Sequence, residues 1–130
     1  MTSTSPIVTG VDFVSIPSRD LARTVAFYGE TLGLHCSVHM PDRGFAEFET
    51  GNLTLSVIVP DQLGLEYHVS RLPIALHVED MAAARATLEE RGVTFLGEPL
   101  DTGVCHMSFF KDPDDNGLML HHRYAPRVTL

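Results

Sequence analysis

Phe109-Phe110-Lys111-Asp112-Pro113-Asp114-Asp115-Asn116-Gly117-Leu118-Met119-Leu120-His121-His122 decides how this chain is read. Apolar runs flank six turn-forming residues, Asp112 to Gly117. Asp and Asn side chains bond their own backbone, Pro fixes φ, and Gly tolerates a left-handed conformation. The stretch therefore predicts a strand, a tight turn and a returning strand. On the returning strand Leu118 and Leu120 share one side, and Met119 and His121 share the other. The turn lacks the spacing and terminal Glu of an EF-hand loop, so its aspartates read as turn formers and not as calcium ligands.

The pattern extends backwards from this hairpin. A strand is predicted over 74–78. Asp80 then caps a helix through Met81, Ala84 and Leu88 that stops at Gly92, and strands follow over about 93–96, 104–110 and 118–123. The first half has the same order. A strand over 11–16 is broken by Pro17-Ser18, and Ser18 or Asp20 can cap the next helix. Leu21, Val25, Tyr28 and Leu32 give that helix one apolar face, and Gly33 ends it. Strands over about 34–40, 45–49 and 53–59 complete the unit. The chain thus reads as one domain, 1–130, of two βαβββ modules: about 7–60 and 72–124, with a linker over 61–71.

Composition narrows the function. A formal net charge of −8 with no basic run argues against a nucleic-acid partner and is mildly compatible with a cationic ligand. Cys36 and Cys105 have neither CxxC spacing nor the density of a disulfide scaffold, so two free thiols are expected. The first residues lack the basic and apolar regions of a signal peptide, and no apolar run reaches membrane-spanning length. A cytoplasmic protein with no membrane partner is expected.

Arg19-Asp20-Leu21 with Phe27-Tyr28-Gly29-Glu30-Thr31-Leu32-Gly33-Leu34, and Asp112-Pro113-Asp114 at the other end, carry a family resemblance. The chain resembles the glyoxalase/bleomycin-resistance/dioxygenase superfamily, also called the vicinal oxygen chelate (VOC) fold. Asp115 and Gly117 depart from that family's hairpin, which usually has a Gly and then a larger residue at these places. The resemblance implies an α+β fold, with two tandem βαβββ modules forming a curved mixed sheet around a cleft. Its metal enzymes hold a divalent ion at positions that fall here on Phe13, Ser56, Pro73 and Met119. Phe, Pro and a thioether do not ligate such an ion, so no metal and no cofactor are expected. A displaced site would have to use His77, His121 and Glu47.

Strand parity selects the lining of a cleft: Phe13, Ser15, Glu47, Thr54, Ser56, His77, Met119 and His121, with Phe45 or Phe48 as a further wall. Other candidates are weaker. His121 and His122 are neighbours on a strand and point apart. Cys105-His106 reads as a buried thiol beside an imidazole and not as a nucleophile pair. His35 and His39, of equal parity, read as surface residues.

No catalytic residue is assigned. The expected function is sequestration of a small organic ligand, such as an antibiotic or other natural product, by a homodimer, since the resistance members of the family are dimers. The alternative is a glyoxalase- or extradiol-dioxygenase-like enzyme, with a displaced metal or metal-free acid–base chemistry. A dimerising or regulatory module is a third reading.

Overall fold

The apolar side of every long strand needs a partner, and the two helices supply it. Ile16, Tyr28, Phe48, Leu55 and Val57 from the first half join Met81, Leu88, Phe110, Leu118 and Leu120 from the second in one buried cluster. The computed structural model describes residues 5–127. Its strands are β1 (Phe13–Pro17), β2 (His35–Met40), β3 (Phe45–Glu49), β4 (Thr54–Ile58), β5 (Ile74–His77), β6 (Leu100–Asp101), β7 (Cys105–Lys111) and β8 (Gly117–Arg123). Helix α1 (Leu21–Ala26) continues into a π-turn over Phe27–Thr31, and α2 spans Met81–Glu90.

These strands form two four-stranded mixed sheets, ordered β1-β4-β3-β2 and β5-β8-β7-β6. In each, the first strand runs parallel to the last after a helical crossover, and the remaining pairs are antiparallel. The α+β architecture of two βαβββ units is the one the element order predicts.

Local chemistry explains the helix ends. Asp20 and Asp80 are the N-caps, accepting from Arg23 N at 3.2 Å and Ala83 N at 3.0 Å. Ser18 is not the cap: its hydroxyl accepts from Asp20 N at 3.2 Å and pairs with Thr24 Oγ1 at 2.7 Å. Gly33 stands at φ 75° after the π-turn, where a side chain would be strained.

Two sequence expectations fail. Residues 93–96 form no strand. Leu96 N makes one bond to Phe109 O at 2.8 Å, and regular pairing with β7 occurs only at Leu100 and Asp101. Gly97, at φ 79°, turns the chain between them, and Pro99 has no N–H to donate. His35 and His39 do not share a face either. A bulge between Cys36 and Val38 sets His35 opposite Glu49 but His39 opposite Ala46. The extra residue, Ser37, turns its hydroxyl to Glu49 Oε2 at 2.5 Å.

The closing hairpin does more than turn. Asp112, Asp114 and Asn116 are buried. Asp112 accepts from Asp114 N, Asn116 N, Asn116 Nδ2 and the Tyr28 hydroxyl at 2.8–3.0 Å. Asp114 accepts from Thr24 Oγ1 at 3.0 Å, Arg23 Nη2 at 3.2 Å, and the backbone N and Nε of Arg19 at 3.3 Å. Asn116 donates to Pro17 O at 2.9 Å. The second module is thus fastened to the first through charge-assisted hydrogen bonds in the interior. Gly117 fits this arrangement because a Cβ there would lie 2.8 Å from the Arg71 carbonyl oxygen.

Candidate functional site

Alternation puts five of the eight residues singled out from sequence on one face of the first sheet. Ser15, Ser56 and Glu47 lie in one row across β1, β4 and β3, and Phe13 and Thr54 lie in the next. Glu49 completes the second row. The other three stand on the second sheet. Met119 lies between Ala75 and Phe109, and His121 between His77 and Met107. Phe45 shares the face of Glu47, whereas Phe48 is fully buried in the core.

Both faces are open in parts. Phe13 is 52% exposed, Ser15 and His77 are exposed, Thr54, Glu47, Met119 and His121 are half-buried, and Ser56 is buried. A large ring in water beside hydroxyls and a carboxylate is a surface equipped to take an organic molecule.

Polar contacts fix several of these groups. The Ser37 and Thr54 hydroxyls donate to Glu49 at 2.5 and 2.6 Å and hold its carboxyl below the ordinary carboxylate range, with a smaller contribution from His35. At the far end of the second sheet, His77 Nε2 lies 2.9 Å from Glu79 and lowers that carboxyl. The His77 ring stands 6.2 Å from the ring of His122, whose Nδ1 donates to Val78 O at 3.0 Å. Cys105 is buried, with its Sγ 3.1 Å from Thr102 Oγ1. His106 instead faces Asp101 at 3.4 Å and the ring of Tyr124.

The eight residues do not surround a single cavity. A groove of about 660 Å³ is lined by Leu34, Leu53, Leu76, Leu88 and Ala84, and of the eight only His77 reaches it. The two modules differ in how their helices are tied. Tyr28, eight residues after the Asp20 cap, is tied to the hairpin of the other module. Leu88, eight after Asp80, has no hydroxyl with which to do the same.

Three of the four positions that the resemblance assigns to metal ligands carry side chains that do not suit a divalent ion. Phe13 and Met119 project from the two sheet faces and Pro73 precedes β5 on the parity of Ala75; an aromatic ring, a thioether and a pyrrolidine supply no oxygen or nitrogen donor for such an ion. Among the described residues no three His, Cys, Asp or Glu side chains are grouped closely enough to hold an ion, so His77, His121 and Glu47 are not brought together within one chain.

Sequence reasoning missed Lys111 and Gly117. They are paired across β7 and β8 on the same face as Phe109 and Met119. Lys111, the only lysine, was hidden among the turn formers of the hairpin, although its odd-numbered parity with Met119 was a usable signal.

Residues 10–120 match the family model described as Glyoxalase/Bleomycin resistance protein/Dioxygenase superfamily. Among solved structures, the antibiotic-binding protein TnmS3 from Streptomyces sp. CB03234 is 26% identical with a TM-score of 0.75, and the match covers 92% of this chain and 99% of that one. A glyoxalase/bleomycin resistance protein/dioxygenase from Nocardioides shares the fold at 22% identity and TM-score 0.77, over 99% and 92% of the two chains. Lactoylglutathione lyase from Agrobacterium tumefaciens shares it at 15% identity and TM-score 0.76, over 88% and 93%.

Proposed function

The chain belongs to the glyoxalase/bleomycin resistance protein/dioxygenase superfamily, and on that premise we propose that it binds a small organic molecule without a metal, as a sequestering or resistance protein. The observation that carries the reading is the composition of the two sheet faces. Phe13 and Met119 stand where a metal enzyme needs donors, and each is surrounded by apolar and hydrogen-bonding groups suited to a ligand. The likeness to an antibiotic-binding protein at 26% identity supports the same direction.

In this reading Phe13, Ser15, Glu47, Thr54 and Ser56 form one wall, and His77, Met119 and His121 form the other. A second copy brings the two walls together. Each open sheet face needs a partner surface, so a homodimer completes two equivalent clefts. The site of action is the cytoplasm, where Cys36 and Cys105 remain thiols.

Equilibrium dialysis and thermal shift against a natural-product panel, with and without EDTA, test the proposal. Binding that EDTA leaves unchanged and that Phe13→Ala weakens supports it. Loss of binding or of folded protein in EDTA, with stoichiometric metal by elemental analysis, sinks it in favour of the enzymatic alternative.

A further inference from the structure

The end of the second sheet face carries a charge pattern opposite to that of the chain. A pocket of about 340 Å³ lies between the linker and the closing hairpin, lined by Arg19, Tyr67, Arg71, Lys111, Asp115 and Gly117, with Asp114 at its base. Asp114 is buried and already bonded by Arg19, Arg23 and Thr24, so its charge is spent on the interior. The Tyr67 ring lies 5.0 Å under the Arg19 guanidinium, and its hydroxyl donates to Asp114 O at 3.3 Å, which fixes that wall. Arg71 and Lys111 take part in no ion pair among the described residues, and Asp115 is the one carboxylate left to offset them.

We infer that this pocket binds an oxyanion, a carboxylate or phosphate group, through Arg71 and Lys111, and that it is the anionic subsite of the ligand that lies along Met119. The second part rests on the function proposed above; the first stands without it. Arg71 supplies a planar fork of donors and Lys111 a compact ammonium, the two usual ways of holding such a group. Gly117, opposite Lys111, has no Cβ, and so lets the Arg71 backbone close on the hairpin, where a Cβ would lie 2.8 Å from the Arg71 carbonyl oxygen. The rows run from Lys111 and Gly117 to Phe109 and Met119 and then to Met107 and His121, so charge, apolar contact and imidazole follow one another along one face. A ligand with an acidic head and an apolar body matches that order. The net charge of −8 alone points the other way, towards a cation. Local arrangement, not total charge, selects a bound group.

The test is an amide NMR titration of the full chain with sodium phosphate, against sodium chloride at equal ionic strength. Inorganic phosphate has no apolar part, so it probes the pocket whatever becomes of the cleft. The expected result is saturable shifts at residues 69–71, 111 and 115–117. The double variant Arg71→Gln/Lys111→Gln should weaken binding about tenfold or more, and Arg71→Lys/Lys111→Arg should retain it. Both side chains are exposed and without an ion-pair partner among the described residues, so an unchanged melting temperature confirms that the variants fold. Shifts that chloride reproduces, that do not saturate, or that survive in the Gln double variant overturn the proposal. Benzoate in place of phosphate tests the second part. Its ring should shift Phe109 and Met119 as well; shifts confined to the pocket would keep the oxyanion site and reject its link to the cleft.

Discussion

Asp112 concentrates the hairpin's energetics in one carboxylate. It receives four hydrogen bonds in the interior, including that of the buried Tyr28 hydroxyl. Asp112→Ala orphans those donors and should cost about 3 kcal/mol or more in urea unfolding. Tyr28→Phe removes one bond while Asp112 keeps three, and should cost about 1–2 kcal/mol. Tyr28 also sets a pH dependence. Burial, then the neighbouring Asp112 charge, pushes its hydroxyl well above the ordinary value of 10.0. The neutral phenol is the form the fold accepts, so its contribution is full below pH 10.0 and is lost as pH rises beyond it. Alkaline unfolding should therefore be shallower in Tyr28→Phe, as read by circular dichroism; an identical slope would contradict the assignment. At Gly117 the Arg71 carbonyl blocks a Cβ, and Gly117→Ala should destabilise by about 1–3 kcal/mol.

Among the elements, the helices and most strands were legible because their signals are local. Alternation placed Leu55 and Val57 inward, and Asp80 with Gly92 bracketed α2. Asp80→Ala, which removes the cap on Ala83 N, should cost about 1 kcal/mol in thermal or urea unfolding. What escaped the sequence was set by single residues or distant partners. One inserted residue at Ser37 reversed the face of His39 relative to His35. Gly97 and Pro99 postponed the sixth strand. Ser18 and Thr24 look like surface residues of a helix start, yet both are fully buried, because Asp114 reaches Thr24 from 90 residues away. Hydrophobic period cannot show that contact.

At the scale of the molecule, the site was legible only as faces. Parity correctly put Phe13, Ser15, Thr54, Ser56 and Glu47 together on one face, because the period of a strand is strict. It could not relate that face to the one bearing Met119 and His121, since no local signal encodes the packing of one sheet on another. Nor could it find Arg71 and Lys111 as a set. They come from the linker and the hairpin, forty residues apart. The proposed function requires a metal-free binding cleft completed by a second copy. Native mass spectrometry of the untagged protein, purified without chelator, reads copy number, bound small molecule and metal in one spectrum. The expected spectrum is that of a two-chain particle carrying an organic ligand and no stoichiometric metal. A single-chain particle, or one with a divalent ion bound per chain, would contradict it.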